Sequence, residues 1–204
     1  MGIRERKEKE KTEMRSSILK AAMSLFIDEG YENVSMRKIA RKIEYSASSI
    51  YSYFENKDMI LFELLHEGFE KLKEKQLFVQ GITEPKERLI AHGDAYMDFA
   101  FENSQYYELM FLIHKPKERF DLHKVKVLGD SCYELLVKNV AECVEAGYNK
   151  GEDVNNLALF LWSSLHGIVA LYIRQAIILE EFNKQYLDNI KSVTLHFLQQ
   201  LIKK

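Results

Sequence analysis

The chain holds 204 residues, 47 % of them apolar and 29 % charged, with a formal net charge of −2. That is enough apolar material for a real core in one large domain, or in a small domain joined to a larger one. Only two prolines and nine glycines interrupt it, and long stretches rich in Leu, Lys, Glu, Ala and Ile favour an all-α protein, with no alternating run long enough to demand a sheet.

In chain order, residues 1–13 alternate charges and are expected to fray. From Met14 onward, Met14, Ile18, Ala22, Leu25 and Phe26 share one helical face, and Gly30 is placed to end the helix. Ser35 is expected to cap a short helix that buries Met36, Ile39, Ala40 and Ile43 and turns its basic residues the other way. Glu44 and Tyr45 then lead to Ser46, the cap of a third helix anchored by Ile50 and Phe54. Asn56 caps a fourth, with Asp58 in its first turn and Ile60, Leu61, Leu64, Leu65 and Phe69 as its apolar stripe. It ends near residues 81–85, and later helices are expected at about 85–102, 104–114, 119–147, 153–179 and 183–203. The breaks between them fall at Ser104, His114 to Pro116, Gly147 to Gly151 and Glu180 to Asn183.

Charge is unevenly placed along this series. Residues 1–60 carry twelve Lys/Arg against ten Asp/Glu, whereas residues 61–204 carry seventeen against twenty-one. Within 35–57, Arg37, Lys38, Arg41, Lys42 and Lys57 face only Glu44 and Glu55, a local basic patch that permits polyanion binding. Cys132 and Cys143 lie eleven residues apart in one expected helix, about 16 Å along its axis, too far to bridge within it. They read as small buried side chains, and the charged start offers no secretory leader, so a cytoplasmic location is expected. The longest apolar run, residues 157–173, falls short of the roughly 20 residues a bilayer requires and contains Ser163, Ser164 and His166. A core or interface helix is expected there, and no membrane span.

The stretch EYSASSIYSYFENK, residues 44–57, places four serines and three tyrosines around the anchors Ile50 and Phe54. Three short helices with a tight turn between the second and third form a helix-turn-helix pattern, whose last helix enters the major groove by its N-terminal end. Hydroxyls on such a helix suit base edges and phosphates, while the apolar residues hold it from behind. The candidate base readers are Ala47, Ser48 and Ser49, with Ser46 beside them, and the candidate phosphate contacts are Ser35, Arg37, Tyr51, Tyr53 and Lys57, the last at a helix N-terminus.

Residues 18–65 resemble the DNA-binding domain of the TetR family of transcriptional regulators. The resemblance rests on ILKAAMSLFIDEGYENVSMRKIA and on YSYFENKDMI, which is similar to the family's Tyr-x-Tyr-Phe-x-x-Lys signature. WSSLHG, residues 162–167, resembles a Trp-x-x-x-His-Gly element in the regulatory domain of one subgroup. Two positions depart from the pattern: Glu44 stands where many members have Gly in the turn, and Ser48 where recognition helices often carry Gly. The resemblance implies a helix-turn-helix domain over residues 1–60 and a helical effector-binding and dimerising domain over 61–204.

That larger region is rich in aromatics, and Trp162 and His166 share a helix face at i, i+4. With Tyr96, Phe99 and Phe111 they are the candidate lining of the effector pocket that the resemblance implies, one suited to a hydrophobic or aromatic compound with a single polar group. His166 also invites an enzymatic reading with Glu108 or Asp130. Yet no nucleophile elbow or phosphate loop is present, and His92, His114 and His123 lack metal-ligand spacing, so no catalytic residue, metal or cofactor is assigned. The last two helices carry more apolar surface than one protomer covers, through Tyr186, Ile190, Val193, Phe197, Leu198 and Leu201 in the final one. A homodimer on a palindromic operator of double-stranded DNA is therefore expected, and the resemblance implies that it acts as a ligand-responsive repressor. The competing expectation is a helical ligand-binding protein that has lost DNA recognition, for which Glu44 is the best sequence argument.

Overall fold

The computed structural model describes residues 2–113, 122–174 and 189–204. Among them are nine α-helices and no strand. These are α1 Ile3–Glu29, α2 Met36–Lys42, α3 Ala47–Tyr51, α4 Lys57–Phe78, α5 Pro85–Glu102, α6 Ser104–Tyr107, α7 Leu122–Glu145, α8 Val154–Ile173 and α9 Ile190–Leu201. The expected breaks at 114–116 and 180–183, and with them His114 and Tyr186, lie outside the described residues.

Helix α1 begins eleven residues earlier than the apolar pattern predicts. Its first turns are held by exposed local contacts: the Glu5 carboxylate accepts from Gly2 N at 2.8 Å, and Arg6–Glu10 and Lys9–Glu13 pair at i, i+4. Such pairs are worth about 0.3–0.5 kcal/mol each, and apolar periodicity cannot register them. The expected helix over 104–114 also differs: after α6 the chain widens into a π-helical turn, Glu108–Leu112.

The caps fall where the sequence places them. Ser35 Oγ accepts from Lys38 N at 3.3 Å, Ser46 Oγ from Ser49 N at 3.2 Å and Asn56 Oδ1 from Met59 N at 2.9 Å. Helices α1–α3 enclose Ile18, Phe26, Tyr31, Ile39, Ile50 and Phe54 as one apolar centre. With five residues, α3 is far too short to persist alone, so these buried anchors define its position.

Glu44, between α2 and α3, has φ +61°, the left-handed region that L side chains enter at a cost of roughly 1 kcal/mol or more. Its side chain is exposed. Glu44→Gly is therefore expected to stabilise the head by about 1 kcal/mol. A higher urea midpoint at unchanged slope is the confirming result, and a lower midpoint would mean that the carboxylate contributes more than the backbone loses.

Helix α4 runs without a break from this head into a bundle with α5, α7, α8 and α9. Leu61, Leu64 and Leu65 on α4 belong to the same buried cluster as Ile18 of α1 and Phe99 of α5, so head and bundle share one core. Gly93 on α5 lets α9 close over it, since a Cβ there would lie 2.8 Å from Leu198. Helix α8 is long and apolar enough to cross a membrane by length and composition alone. In the fold it packs on α5 and α7. Leu161, Leu165 and Val169 are buried, while Leu159, Phe160, Leu171 and Tyr172 are exposed.

Candidate functional site

The hydroxyl-rich segment forms α3 and its two ends. Ser46 Oγ, besides capping, lies 2.8 Å from both Ser48 Oγ and Ser49 Oγ, and Ser52 Oγ donates to Ser49 O at 2.6 Å. Ser46 and Ser48 are exposed at the N-terminal end, Ala47 and Ser49 are half-buried, and Tyr51 is exposed on the far side. Ile50 and Phe54 point inward. Tyr45, exposed just ahead of the cap, belongs to the same surface, although the sequence pattern does not single it out.

Arg37 and the cap Ser35 are exposed at the start of α2, while Lys38 is paired with Glu29 at 2.5 Å and Lys42 Nζ donates to Ser24 Oγ at 2.7 Å. Lys57 is turned into the head. Its Nζ donates to Tyr31 O at 2.8 Å and Val34 O at 3.0 Å, and it lies 4.1 Å from the Tyr31 ring centroid. This geometry ties the start of α4 to the loop between α1 and α2. Lys57→Ala is consequently expected to destabilise the head by about 1–3 kcal/mol and to leave the salt dependence of DNA affinity unchanged. A slope flattened by about 0.9 would instead support the expected phosphate role.

Between α4, α5, α7 and α8 lies a cavity of about 420 Å³, within the range of small-molecule sites. Phe69, Leu72 and Gln76 of α4 form one wall, and Leu161, Trp162 and Leu165 of α8 another. Of the five residues expected from sequence, Tyr96, Phe111 and Trp162 line it. Phe99 is fully buried in the shared core behind it. His166 sits one shell away, its Nδ1 2.7 Å from Tyr107 Oη and 3.1 Å from Tyr96 Oη, with its ring 5.5 Å from those of Trp162 and Phe111.

Burial lowers the pKa of His166 and pushes the Tyr96 phenol up to about 12, so this cluster is neutral near pH 7. Among the described residues no carboxylate pairs with His166: Glu108 pairs with Arg174 at 3.2 Å and Asp130 lies 3.8 Å from Lys126. Cys132 and Cys143 are free and buried, and burial raises both thiols to about 11. They are small core side chains.

The sequence reading weighs His92 only as a metal ligand and does not place it at the cavity. His92, 3 % exposed, lines the cavity with Nε2 3.1 Å from the Gln76 side-chain nitrogen and Nδ1 3.0 Å from that of Asn139. Asn139 Oδ1 accepts from Arg88 Nε at 3.2 Å, and Arg88 also donates to Ile82 O at 2.6 Å and pairs with Glu142. Burial holds His92 down at a pKa of about 4. One signal was available: Gln76 continues the α4 stripe of Leu65, Phe69 and Leu72 at i, i+4 and i+7, where a polar residue breaks the pattern.

With this geometry in place, known proteins are informative. Residues 18–64 match the family described as bacterial regulatory proteins, tetR family, and residues 89–188 match the tetracyclin repressor-like C-terminal domain. The chain is 28 % identical over 166 residues to the uncharacterized HTH-type transcriptional regulator YobS of Bacillus subtilis, covering 80 % of this chain and 81 % of YobS. It is also 28 % identical over 125 residues to the HTH-type transcriptional activator FasR of Mycolicibacterium smegmatis, covering 61 % of this chain and 57 % of FasR. Among solved structures, the fatty acid degradation regulator FadR of Bacillus halodurans superposes with a TM-score of 0.72 at 16 % identity, over 91 % of this chain and 94 % of that one, a likeness of fold. The head that carries α3, the bundle behind it and both domain matches make this chain a member of the TetR family, a DNA-binding transcriptional regulator and not an enzyme.

Proposed function

We propose that the protein is a ligand-responsive repressor, released from a palindromic operator when a small, mostly apolar effector enters the cavity between α4, α5, α7 and α8. The observation that carries this reading is the course of α4. One end is capped by Asn56 beside α3, and the other supplies Phe69, Leu72 and Gln76 to the cavity wall. A ligand that prefers one tilt of α4 thereby prefers one position of the DNA-reading head. A ligand with equal affinity for both positions shifts nothing.

On the DNA side, Ala47, Ser48 and Ser49, with Ser46, read bases, and Ser35, Arg37, Tyr51 and Tyr53 hold the backbone. The exposed outer faces of α8 and α9, with Phe160, Leu171, Val193, Phe197 and Leu201, support a two-fold four-helix dimer interface in a cytoplasmic protein. Leu198, expected in that interface, is instead buried against α5. An effector with an acyl chain suits the apolar walls and fits the name of the fatty acid degradation regulator FadR, whose fold this chain shares.

The test is a screen for compounds that raise the melting temperature, followed by band shift on DNA flanking the gene at ~0.1 M salt. A stabilising compound is expected to release the DNA, and Trp162→Ala is expected to lose that response on the order of tenfold. A compound that stabilises without changing DNA affinity overturns the coupling. A full response from Trp162→Ala overturns the pocket. Transcription that rises on DNA binding would assign the activator role that FasR's name carries, and absence of any specific DNA site would favour the ligand-binding protein without operator recognition suggested by Glu44.

A further inference from the structure

The chain of hydrogen bonds behind the cavity permits only one arrangement of protons. Arg88 Nε is always a donor, so the Asn139 atom 3.2 Å from it must be the amide oxygen, and the Asn139 NH₂ must face His92 Nδ1 at 3.0 Å. His92 Nδ1 then accepts. An imidazolium, or the tautomer with its proton on Nδ1, would set donor against donor at Asn139 or force Asn139 to turn its NH₂ toward Arg88. The His92 proton therefore resides on Nε2, and it points at the Gln76 amide 3.1 Å away.

The two ends of a side-chain amide are alike in shape, and their identity follows from their partners. The end facing His92 Nε2–H must be the Gln76 oxygen. Its NH₂ then occupies the other terminal position, which is buried and has no hydrogen-bond partner among the described residues. Gln76 is 3 % exposed and lines the cavity, so a donor without a partner stands in the cavity wall, its orientation set by His92, Asn139 and Arg88 in series.

We infer that Gln76 is the polarity reader of this cavity, donating from its amide NH₂ to the carbonyl oxygen of a neutral, mostly apolar ligand. This deepens the proposed effector reading and rests on it. An uncharged ligand is favoured over a carboxylate for two reasons. The guanidinium of Arg88 does not line the cavity and is occupied by Asn139, Ile82 O and Glu142, and the charged residue among the described lining is Asp130. Among the described lining residues an anion would meet no cation and one like charge, whereas a ketone, ester or amide needs only the single donor.

The experiment pairs a structural and a binding readout on the full-length protein. Long-range ¹⁵N–¹H correlation spectra of the histidine rings are expected to show His92 as the neutral tautomer protonated at Nε2. Either an Nδ1-protonated or a doubly protonated ring at pH 7 overturns the proton assignment. Calorimetric titration with methyl octyl ketone, n-decane and decanoate is expected to give on the order of tenfold tighter binding of the ketone than of the other two. In Gln76→Met, which keeps the side-chain length, the ketone and the alkane are expected to bind alike, with the alkane held at least as tightly as in the wild type. Ketone and alkane bound equally by the wild type overturn carbonyl recognition while leaving the pocket standing. Binding of none of the three overturns the cavity reading itself, and decanoate bound most tightly overturns the neutral-ligand assignment.

Discussion

Phe54→Ala is expected to destabilise the head by about 3–5 kcal/mol and to abolish specific DNA binding at temperatures where the bundle remains folded. Phe54 is 3 % exposed and sits three residues past the end of α3, under the Arg15 guanidinium at 4.3 Å from the ring centroid. Arg15 also donates to Tyr53 O at 3.4 Å and through Nε to Glu63 of α4 at 2.8 Å. One ring thus supports a contact that joins α1, α3 and α4. A five-residue helix has too little hydrogen bonding of its own to persist when its anchor is removed. Denaturant unfolding and band shift on the same preparation check both halves of the expectation. Specific binding that survives at full affinity would show that Ile50 alone positions α3.

Arg88→Met is expected to lower stability by about 3 kcal/mol, because it removes one member of a largely buried pair and strands its partners. The Arg88 side chain is 10 % exposed and links α5 to α7 through Asn139 and Glu142, while also closing the turn at Ile82. Glu142 keeps a third of its side-chain surface in solvent, which places the loss at the lower end of the range for buried pairs. Adding Glu142→Gln should recover part of it, since the stranded carboxylate is then gone. Urea denaturation of the two single variants and the double variant measures this, and additive losses would show that the two side chains stabilise the bundle independently. The same substitution frees Asn139 to rotate, so the His92 tautomer is expected to become mixed.

The helix-turn-helix was legible because its determinants are local. Each cap, Ser35, Ser46 and Asn56, bonds an amide three residues on, and each apolar anchor follows one helical period. The left-handed Glu44 was legible as a departure from the family's pattern, and φ +61° bears it out. The cavity was legible only in part. Trp162, Tyr96 and Phe111 stand out as aromatics, but whether an aromatic faces a void, as Phe111 does, or a packed core, as Phe99 does, depends on neighbours from other helices. Periodicity marks the buried stripe of a helix and says nothing about what stands opposite.

Sequence alone therefore determined the all-α class, the position of nearly every described helix, the head and its family, because capping, hydrophobic period and turn chemistry act within a few residues of one another. Only the tertiary structure decided that Lys57 bonds the carbonyls of Tyr31 and Val34, that His166 sits behind two phenols, and that Gln76, His92, Asn139 and Arg88 form one chain. Those residues lie on three helices, and Gln76 and Asn139 are more than sixty positions apart. A buried polar group must find its partners wherever packing brings them, and that depends on the bundle as a whole and not on any one helix.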